Sequence, residues 1–253
     1  MRGEKKIVIT RPLGQSDKFI KQVCDQYPFV LPDGFLIEPM LDIETYNVDV
    51  SDVEFDSWII TSSNAIPCVK KNLRSLDKPV YCVGERTAAK VKSLLPEVEI
   101  HFYQNAESLL RSIEGHAEGR RFLYIRGEHV SVDMAKSVGQ LGGEVHSVVC
   151  YSAHTMEEFS PKFIELLKNG EVGAIVFFSK RTAKTFFDLM NRYADLSGQK
   201  FVDLIKFDLL SISTPVIECT YTNNDAMKVI VSATPDLKGM VDAVGNYVLD
   251  SSE

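Results

Sequence analysis

The sequence predicts an α/β protein with two lobes, each built around a parallel sheet. Short apolar strands alternate with amphipathic helices along the chain, which is the pattern of a parallel sheet joined by right-handed crossovers. Several strands are apolar throughout, as expected where helices cover both faces of a sheet. A coarse internal repeat aligns Ser62 with Ser179, so it indicates two similar halves.

Most of the predicted strands carry a hydroxyl-bearing residue, often with a basic neighbour, where the strand gives way to a helix. In order they run Ile7 to Pro12, Trp58 to Ala65, Val80 to Ala88, Phe122 to Glu128, Ala174 to Ala183, Leu209 to Pro215 and Val229 to Pro235. Apolar residues three and four apart follow, for example Ala183, Phe186, Phe187 and Met190, and predict helices laid on the sheet. Because open α/β sheets bind ligands at the carboxyl ends of their strands, the pattern indicates an anion-binding face.

Two short strands carry the predicted crossings between the lobes. Pro39 to Asp49 leads into the middle of the chain, and Glu144 to Thr155 leads back. We therefore expect a discontinuous first lobe, residues 1–40 with 152–253, and a second lobe at residues 41–151. Two adjacent linkers would act as a hinge, and the ligand would bind in the cleft between the lobes.

Charge and composition narrow the class of ligand. The 28 basic and 35 acidic residues give a net charge of −7, which argues against nucleic acid as the main partner. Basic residues nevertheless fall at predicted strand ends: Arg11, Arg86, Arg126, Lys180 and Arg181. A locally positive site on an acidic protein suits a polyanionic small molecule. The N-terminal strand is too short for a signal peptide and no apolar run is long enough for a membrane span, so we expect a cytoplasmic protein.

Cysteine and histidine usage predicts neither a disulfide framework nor a metal site. The five cysteines are Cys24, Cys68, Cys82, Cys150 and Cys219. They are scattered and form no CxxC pair, which is typical of a reducing compartment. The histidines show no metal spacing, and no GxSxG, HExxH, Walker or GxGxxG motif appears. We therefore expect no metal or organic cofactor.

Each candidate site residue also has a purely structural interpretation. Ser62, Thr87, Ser179 and Ser213 stand where an N-cap is expected, and capping alone would explain each of them. Arg126 ends a strand and could pair with a ligand carboxylate, while Gly127 would let backbone N–H groups approach it. Tyr151 lies in the return strand, where a tyrosine usually packs, yet its phenol could donate a hydrogen bond to a leaving hydroxyl.

These motifs, taken in order, resemble the uroporphyrinogen-III synthases of tetrapyrrole biosynthesis over nearly the whole chain. The matching segments are VITRP with Gln15 after it, TSxNA at Thr61 to Ala65, VGxxTA at Val83 to Ala88, NAE at Asn105 to Glu107, RGE at Arg126 to Glu128, GxEV…VxxY ending at Tyr151, and FFS at Phe177 to Ser179. Ser131 stands where many bacterial members have an arginine, and Thr214 to Val216 stands where a second GxxTA segment would be.

The resemblance implies two flavodoxin-like lobes joined by a two-stranded connection, with the tetrapyrrole between them. It implies cyclisation of linear hydroxymethylbilane to uroporphyrinogen III, with loss of water, inversion of ring D and no metal or organic cofactor. Tyr151 matches the family's candidate for assisting departure of the hydroxyl group. The candidate substrate-binding residues are Arg11, Ser62, Ser63, Thr87, Arg126, Gly127, Ser179, Lys180 and Ser213.

The chemistry of that reaction agrees with the residues. A substrate with many carboxylates suits a site rich in hydroxyls, helix N-termini and scattered basic side chains. The flexible bilane closes spontaneously at the wrong carbon, so catalysis is mainly positioning and needs no catalytic triad. We expect a monomer that makes at most transient contact with hydroxymethylbilane synthase.

Two other functions fit the same sequence features. A phosphosugar isomerase or transferase also uses TSSN-type loops to hold phosphate, although it would need a catalytic His or Glu near them. A two-lobed sensor of small anionic molecules would also have a hinge and a polar cleft. Incubation with fresh hydroxymethylbilane, followed by the ratio of type III to type I product, separates all three.

Overall fold

The computed structural model describes residues 5–71, 78–218 and 228–251. Contacts divide the chain into two compact units. Unit 1 comprises residues 1–42 and 155–253, and unit 2 comprises residues 43–154. The predicted lobe boundaries lay near these positions, after residue 40 and after residue 151. Cys219 lies outside the described residues.

The described residues form strands and helices in regular alternation. The strands are β1 (Lys6–Ile9), β2 (Phe35–Ile37), β3 (Leu41–Thr45), β4 (Ser57–Ile60), β5 (Val80–Val83), β6 (Ile100–Tyr103), β7 (Arg121–Gly127), β8 (Glu144–Thr155), β9 (Val172–Phe177), β10 (Asp208–Ser211) and β11 (Val229–Val231). The α-helices are α1 (Leu13–Gln26), α2 (Ile66–Lys71), α3 (Glu85–Leu94), α4 (Ala106–Ile113), α5 (Met134–Gln140), α6 (Pro161–Asn169), α7 (Lys180–Ser197), α8 (Phe201–Leu204), α9 (Thr214–Glu218) and α10 (Leu237–Asp250). Short 3-10 helices cover Pro32–Gly34 and Ser63–Ala65.

The sheet of unit 1 has the strand order β11-β10-β9-β1-β2, and its paired strands are parallel. Counted along the chain within this unit, the spatial order is 2-1-3-4-5, which is the flavodoxin-like order. Ligands of such sheets bind beyond the carboxyl ends of the strands, where the order reverses. The predicted fold class is therefore confirmed for this unit.

The sheet of unit 2 has the order β3-β8-β7-β4-β5-β6. The strands from β4 to β8 are parallel and follow the other doubly wound order, 3-2-1-4-5. β3 runs antiparallel to β8, because Tyr46 N–H donates to Cys150 and Met156 N–H donates to Met40. The chain leaves unit 1 within β3 and returns to it at the end of β8.

Apolar strands are covered on both faces, as their composition predicts. In β9, Ile175 and Phe177 face one buried cluster and Ala174 and Val176 face another. This division follows from the alternation of side chains along a strand. In unit 2, Trp58 belongs to one cluster and its neighbour Ile59 to the opposite one.

The helix that follows β9 shows how the sequence encodes this packing. The predicted apolar face of α7, Ala183, Phe186, Phe187 and Met190, is buried. Ser179 caps the helix by accepting a hydrogen bond from Thr182 N–H at 3.2 Å. Capping satisfies one of the N–H groups that have no partner within the helix. Both the helix and its capping serine are therefore confirmed.

Candidate active site

The carboxyl ends of strands in unit 2 line a cavity of about 330 Å³. Its walls come from the turns after β4, β6 and β7, and from the middle of β8. The lining residues are Thr61, Ser62, Val83, Gln104, Asn105, Ala106, Tyr124, Gly127, His129, Val130, Ser131, Val132, Met134 and Tyr151. This is the edge of the sheet at which doubly wound folds bind ligands. Ser62, Gly127 and Tyr151 are the sequence-predicted site residues that the cavity brings together.

Tyr151 reaches the cavity from β8, next to Gly127 of β7. The two residues are register partners, and the register shifts between Arg126 and Gly127. The Tyr151 ring lies over Gly127 so closely that a Cβ atom there would be 2.8 Å from the phenol oxygen. The side chain is half-buried and packs partly against the core of unit 2. One face of the Tyr151 ring therefore rests on the backbone of Gly127, while the side chain also faces the cavity.

A second phenol lines the same cavity. Tyr124 of β7 is only 3% exposed, and its hydroxyl lies 3.0 Å from Thr61 Oγ1 in a hydrogen bond. Burial raises the pKa of the Tyr124 phenol, so this group stays protonated and neutral. The pair thus supplies two hydroxyl groups with fixed positions at the cavity wall.

The turn after β4 carries the two serines that the sequence singled out. Ser62 is half-buried and accepts a hydrogen bond from Asn64 N–H at 3.2 Å, so it caps the 3-10 helix that begins at Ser63. The expected capping function is confirmed, and Ser62 also lines the cavity. Ser63 is the first residue of the 3-10 helix and is not among the lining residues.

Arg126 and Thr87 lie at strand ends of unit 2 but outside the cavity lining. Arg126 folds back over its own turn, since Nη1 donates to the carbonyl oxygens of Gly127 and Glu128 at 2.9 Å each. Thr87 is buried in α3, which begins after Gly84. Gly84 has a φ of 82°, a conformation that favours glycine and that turns the chain from β5 into the helix.

The remaining predicted residues belong to unit 1. Arg11 is 5% exposed, donates to Gln15 Oε1 at 2.6 Å and lies 4.3 Å from the centre of the Phe178 ring. Ser179 caps α7, and Lys180 beside it is exposed. Ser213 is half-buried, and its carbonyl oxygen accepts a hydrogen bond from Ser211 Oγ at 2.9 Å.

Sequence reasoning did not select several lining residues as site residues. Tyr124 sits in the apolar run of β7, where a tyrosine is hard to distinguish from core packing. The residue that could have pointed to it is Thr61, which follows the neighbouring strand β4. Thr61 comes close to Tyr124 only through the pairing of β4 with β7. Gln104 and His129 lie in exposed turns and carried no motif of their own.

Comparison with known families identifies the family to which the chain belongs. A family model described as uroporphyrinogen-III synthase HemD matches residues 35–242. The chain belongs to the uroporphyrinogen-III synthase family. Membership confirms the predicted activity, cyclisation of hydroxymethylbilane to uroporphyrinogen III by a cyclising lyase of tetrapyrrole biosynthesis.

Solved structures of uroporphyrinogen-III synthases share the fold. The uroporphyrinogen-III synthetase of Helicobacter pylori 26695 is 16% identical with a TM-score of 0.57, and the match covers 98% of this chain and 100% of that one. A mutant uroporphyrinogen III synthase of the extremely thermophilic bacterium Thermus thermophilus is 16% identical with a TM-score of 0.51, covering 97% and 99%. A search of curated proteins found no match.

Two further observations concern the described part of this uroporphyrinogen-III synthase family member. Within residues 5–71, 78–218 and 228–251, no three His, Cys, Asp or Glu side chains come together in a way that could hold a metal ion. In the same ranges, none of the helices combines the length and the apolar character needed to span a bilayer.

Proposed function

We propose that the unit 2 cavity receives the pyrrole ring of hydroxymethylbilane that carries the hydroxymethyl group, with the Tyr151 phenol beside the leaving oxygen. The observation that supports this placement is the phenol of Tyr151 at the cavity, next to the hydroxyl pair of Thr61 and Tyr124. A volume of about 330 Å³ suits one ring with its side chains rather than a whole tetrapyrrole.

The proposed step needs little from the protein. The carbon–oxygen bond of the hydroxymethyl group breaks, and its electron pair leaves with the oxygen. The pyrrole nitrogen stabilises the resulting azafulvenium cation. The Tyr151 hydroxyl donates a proton to the leaving oxygen, so that water departs and a phenolate forms beside the cation. Attack by the substituted carbon of ring D on this cation gives a carbon that has no hydrogen to lose. The bond from that carbon to its original bridging methylene therefore breaks and re-forms at the unsubstituted position of ring D, which inverts the ring. That position then loses its hydrogen as a proton, which restores the phenol.

Selectivity for the type III isomer is a matter of positioning. The substituted carbon of ring D must reach the cation before the unsubstituted position does, and holding reactants in one geometry can supply several powers of ten in rate. Ser62 would orient the carboxylates of the bound ring from the turn after β4, where it already lines the cavity. We propose that three more residues bind substrate carboxylates close to Ser62, because they also lie at the carboxyl ends of strands in unit 2. These are Ser63, Thr87 and Arg126.

We propose that polar and basic side chains of unit 1 contact further carboxylates of the same substrate. These are Arg11, Ser179, Lys180 and Ser213. A cytoplasmic, monomeric enzyme that takes its unstable substrate from hydroxymethylbilane synthase by transient contact is the arrangement we favour. The described cysteines Cys24, Cys68, Cys82 and Cys150 form no disulfide bonds, which fits a reducing compartment.

Tyr151→Phe tests this proposal. We expect kcat for cyclisation of fresh hydroxymethylbilane to fall about 100-fold, since a positioned proton donor contributes at least that much, while KM stays nearly unchanged. Tyr193→Phe, the same chemical change on α7 of unit 1, is the control and should leave both constants unaltered. Wild-type turnover by Tyr151→Phe would remove the phenol from the mechanism.

A further inference from the structure

We propose that Gly127 is a positioning residue for cyclisation, because together with a bulge at Cys150 it sets where the Tyr151 phenol stands in the cavity. This inference rests on the function proposed for Tyr151. It differs from the sequence-based expectation for Gly127, which was close approach of backbone N–H groups to a ligand carboxylate. Here the space that a side chain would need is taken by the protein itself.

The contact between the two residues leaves no room for a methyl group. A Cβ atom on Gly127 would lie 2.6 Å from Tyr151 Cζ, and 2.8 Å from both Cε2 and the phenol oxygen. Ordinary van der Waals contact to such an atom begins at 3.4 Å. Any side chain at residue 127 would therefore push the ring by about 1 Å, unless the strand moves instead.

A bulge in β8 brings the phenol to that place. Arg126 pairs with Val149, whereas the next residue, Gly127, pairs with Tyr151, so Cys150 is an extra residue on β8. In an unbroken register Gly127 would pair with Cys150, and the Tyr151 side chain would fall one position further along. An extra residue shifts the alternation of faces by one and re-aims the following side chain.

Contacts on both sides hold the bulge in place. The carbonyl of Cys150 accepts a hydrogen bond from Tyr46 N–H at 2.8 Å, and its side chain is buried in the core of unit 2. The neighbouring Cys68 thiol and burial both raise the pKa of the Cys150 thiol, so it stays neutral there. Glu128 N–H donates to the carbonyl of Tyr151 at 2.9 Å and ties the two strands together beyond the bulge.

The turn that carries Gly127 is itself fixed. Arg126 Nη1 donates to the carbonyl oxygens of Gly127 and Glu128 at 2.9 Å each. A ring that rests on this backbone has its position set by the strand pairing rather than by side-chain rotation alone. Misplacing a reacting group by about 1 Å can cost about 100-fold in rate, so the contact matters for catalysis.

The test compares Gly127→Ala with Gly139→Ala, a control in α5 of the same unit where an added Cβ meets nothing within 4 Å. Each variant carries ring-labelled tyrosine, and the Tyr151 signals are assigned by their loss in Tyr151→Phe. We expect Gly127→Ala to move the Tyr151 ring signals and to lower kcat about 100-fold with little change in KM. Gly139→Ala should change neither.

A double variant separates positioning from general damage to the fold. In the Tyr151→Phe background the proton donor is absent, so adding Gly127→Ala should lower kcat by much less than it does in the wild type. An equal, independent loss in both backgrounds would overturn the proposal. Unmoved Tyr151 signals in Gly127→Ala would overturn it as well.

The proposed function can fail separately. If Tyr151→Phe retains wild-type turnover while Gly127→Ala still moves the ring signals, Tyr151 is not the proton donor, but the positioning of its ring by Gly127 stands. If Gly127→Ala does not fold, Gly127→Ala combined with Tyr151→Ala should restore folding, because the obstructing ring is gone. A double variant that also fails to fold would show that the ring is not what excludes a side chain.

Discussion

The two units share one sheet arrangement but assemble it from the chain in different orders. In space, β6-β5-β4-β7-β8 of unit 2 corresponds to β11-β10-β9-β1-β2 of unit 1. Along the chain, unit 1 begins with the strands equivalent to β7 and β8 and ends with those equivalent to β4, β5 and β6. The units are therefore circular permutations of one topology, and the alignment of Ser62 with Ser179 is the sequence trace of that relation.

Equivalent positions in the two sheets have different surroundings. In unit 2, Ile60 pairs with Ile125, so the next residues, Thr61 and Arg126, lie side by side. In unit 1, Val176 pairs with Ile9, so the residues two positions further along, Phe178 and Arg11, lie side by side. In unit 1 the arginine lies against the Phe178 ring and is buried. In unit 2 the position of Phe178 is held by Thr61, whose hydroxyl bonds to Tyr124 at the cavity.

The difference shows that a hydroxyl at a strand end does not by itself mark a binding site. Thr10 Oγ1 donates to the carbonyl of Val176 at 2.7 Å, and Ser232 Oγ donates to that of Thr234 at 2.5 Å. These hydroxyls of unit 1 stabilise backbone, whereas Thr61 and Ser62 of unit 2 line a cavity. The sequence pattern is the same in both.

Removal of a buried aromatic ring from either core tests whether each unit depends on its own core. Trp58→Ala in unit 2 and Phe186→Ala in unit 1 each remove a fully buried ring and should lower the free energy of unfolding by about 3–5 kcal/mol. Amide hydrogen exchange should accelerate mainly in the unit that carries the change, since the ring packs in a cluster of that unit. Equal acceleration in both units would contradict this view.

Next in size is the contrast between a hydroxyl that stabilises backbone and one that lines the cavity. Thr10→Val leaves a buried carbonyl with one donor fewer and should cost about 1–2 kcal/mol of unfolding free energy without changing kcat. Thr61→Val removes the partner of the Tyr124 hydroxyl, but water in the cavity can replace it, so this change should cost less stability and should lower kcat several-fold. Urea unfolding and the bilane cyclisation assay measure the two effects. A larger stability loss in Thr61→Val than in Thr10→Val, or a loss of kcat in Thr10→Val alone, would contradict this contrast.

The two equivalent serines should differ in stability by a smaller amount. Ser179→Ala removes the cap of α7, a helix of 18 residues, and should cost about 1 kcal/mol. Ser62→Ala removes the cap of a 3-10 helix of three residues, so thermal unfolding should shift less. A larger shift for Ser62→Ala would mean that the turn after β4 is the more important of the two for folding.

The smallest change in stability is expected at Glu38, a buried carboxyl that directly follows β2 of unit 1. The corresponding strand of unit 2, β8, continues past the equivalent position and has no carboxyl there. Glu38 is 3% exposed and accepts hydrogen bonds from Ser160 N–H at 2.8 Å and Ser160 Oγ at 2.5 Å. Burial raises its pKa above the ordinary 4.5, although the bonds from Ser160 oppose the shift. The folded state therefore holds this proton more tightly than the unfolded chain does.

The sign of the pH dependence follows from that shift. The stabilisation from Glu38 is complete below pH 4.5 and is lost as the pH rises through the higher pKa of the folded state. The Glu38→Gln variant lacks this pH-dependent loss. The unfolding free energy of the variant minus that of the wild type should therefore increase between about pH 4 and pH 7. A difference that stays constant over this range would contradict the assignment.

Much of the fold was accessible from the sequence because strand and helix periodicities are local. The apolar face of α7 and the all-apolar β9 predicted a parallel sheet covered on both sides, and the burial of both confirms it. The permuted strand order was not predicted. The strand order depends on pairing between strands that are far apart in the sequence, such as β1 with β9. Local periodicity in a single sequence does not indicate which distant strands pair.

The site was predictable only in part. Ser62, Gly127 and Tyr151 could be selected because motifs surround them, and they do line the cavity. The position of Tyr151 over Gly127 depends on one extra residue in β8, and such a shift changes the pairing without leaving a signature in composition or periodicity. The same strand-end pattern also selected Arg11, which packs against Phe178.

The permuted order has a consequence for synthesis of the chain. Unit 2 is continuous, so it can form as soon as its last strand has left the ribosome. Strand β1 can pair early with β2, but its other partner, β9, lies more than half the chain away and is made much later. Until then the apolar segment Ile7–Ile9 has an unpaired edge, so nascent unit 1 is the part of the molecule most in need of a chaperone.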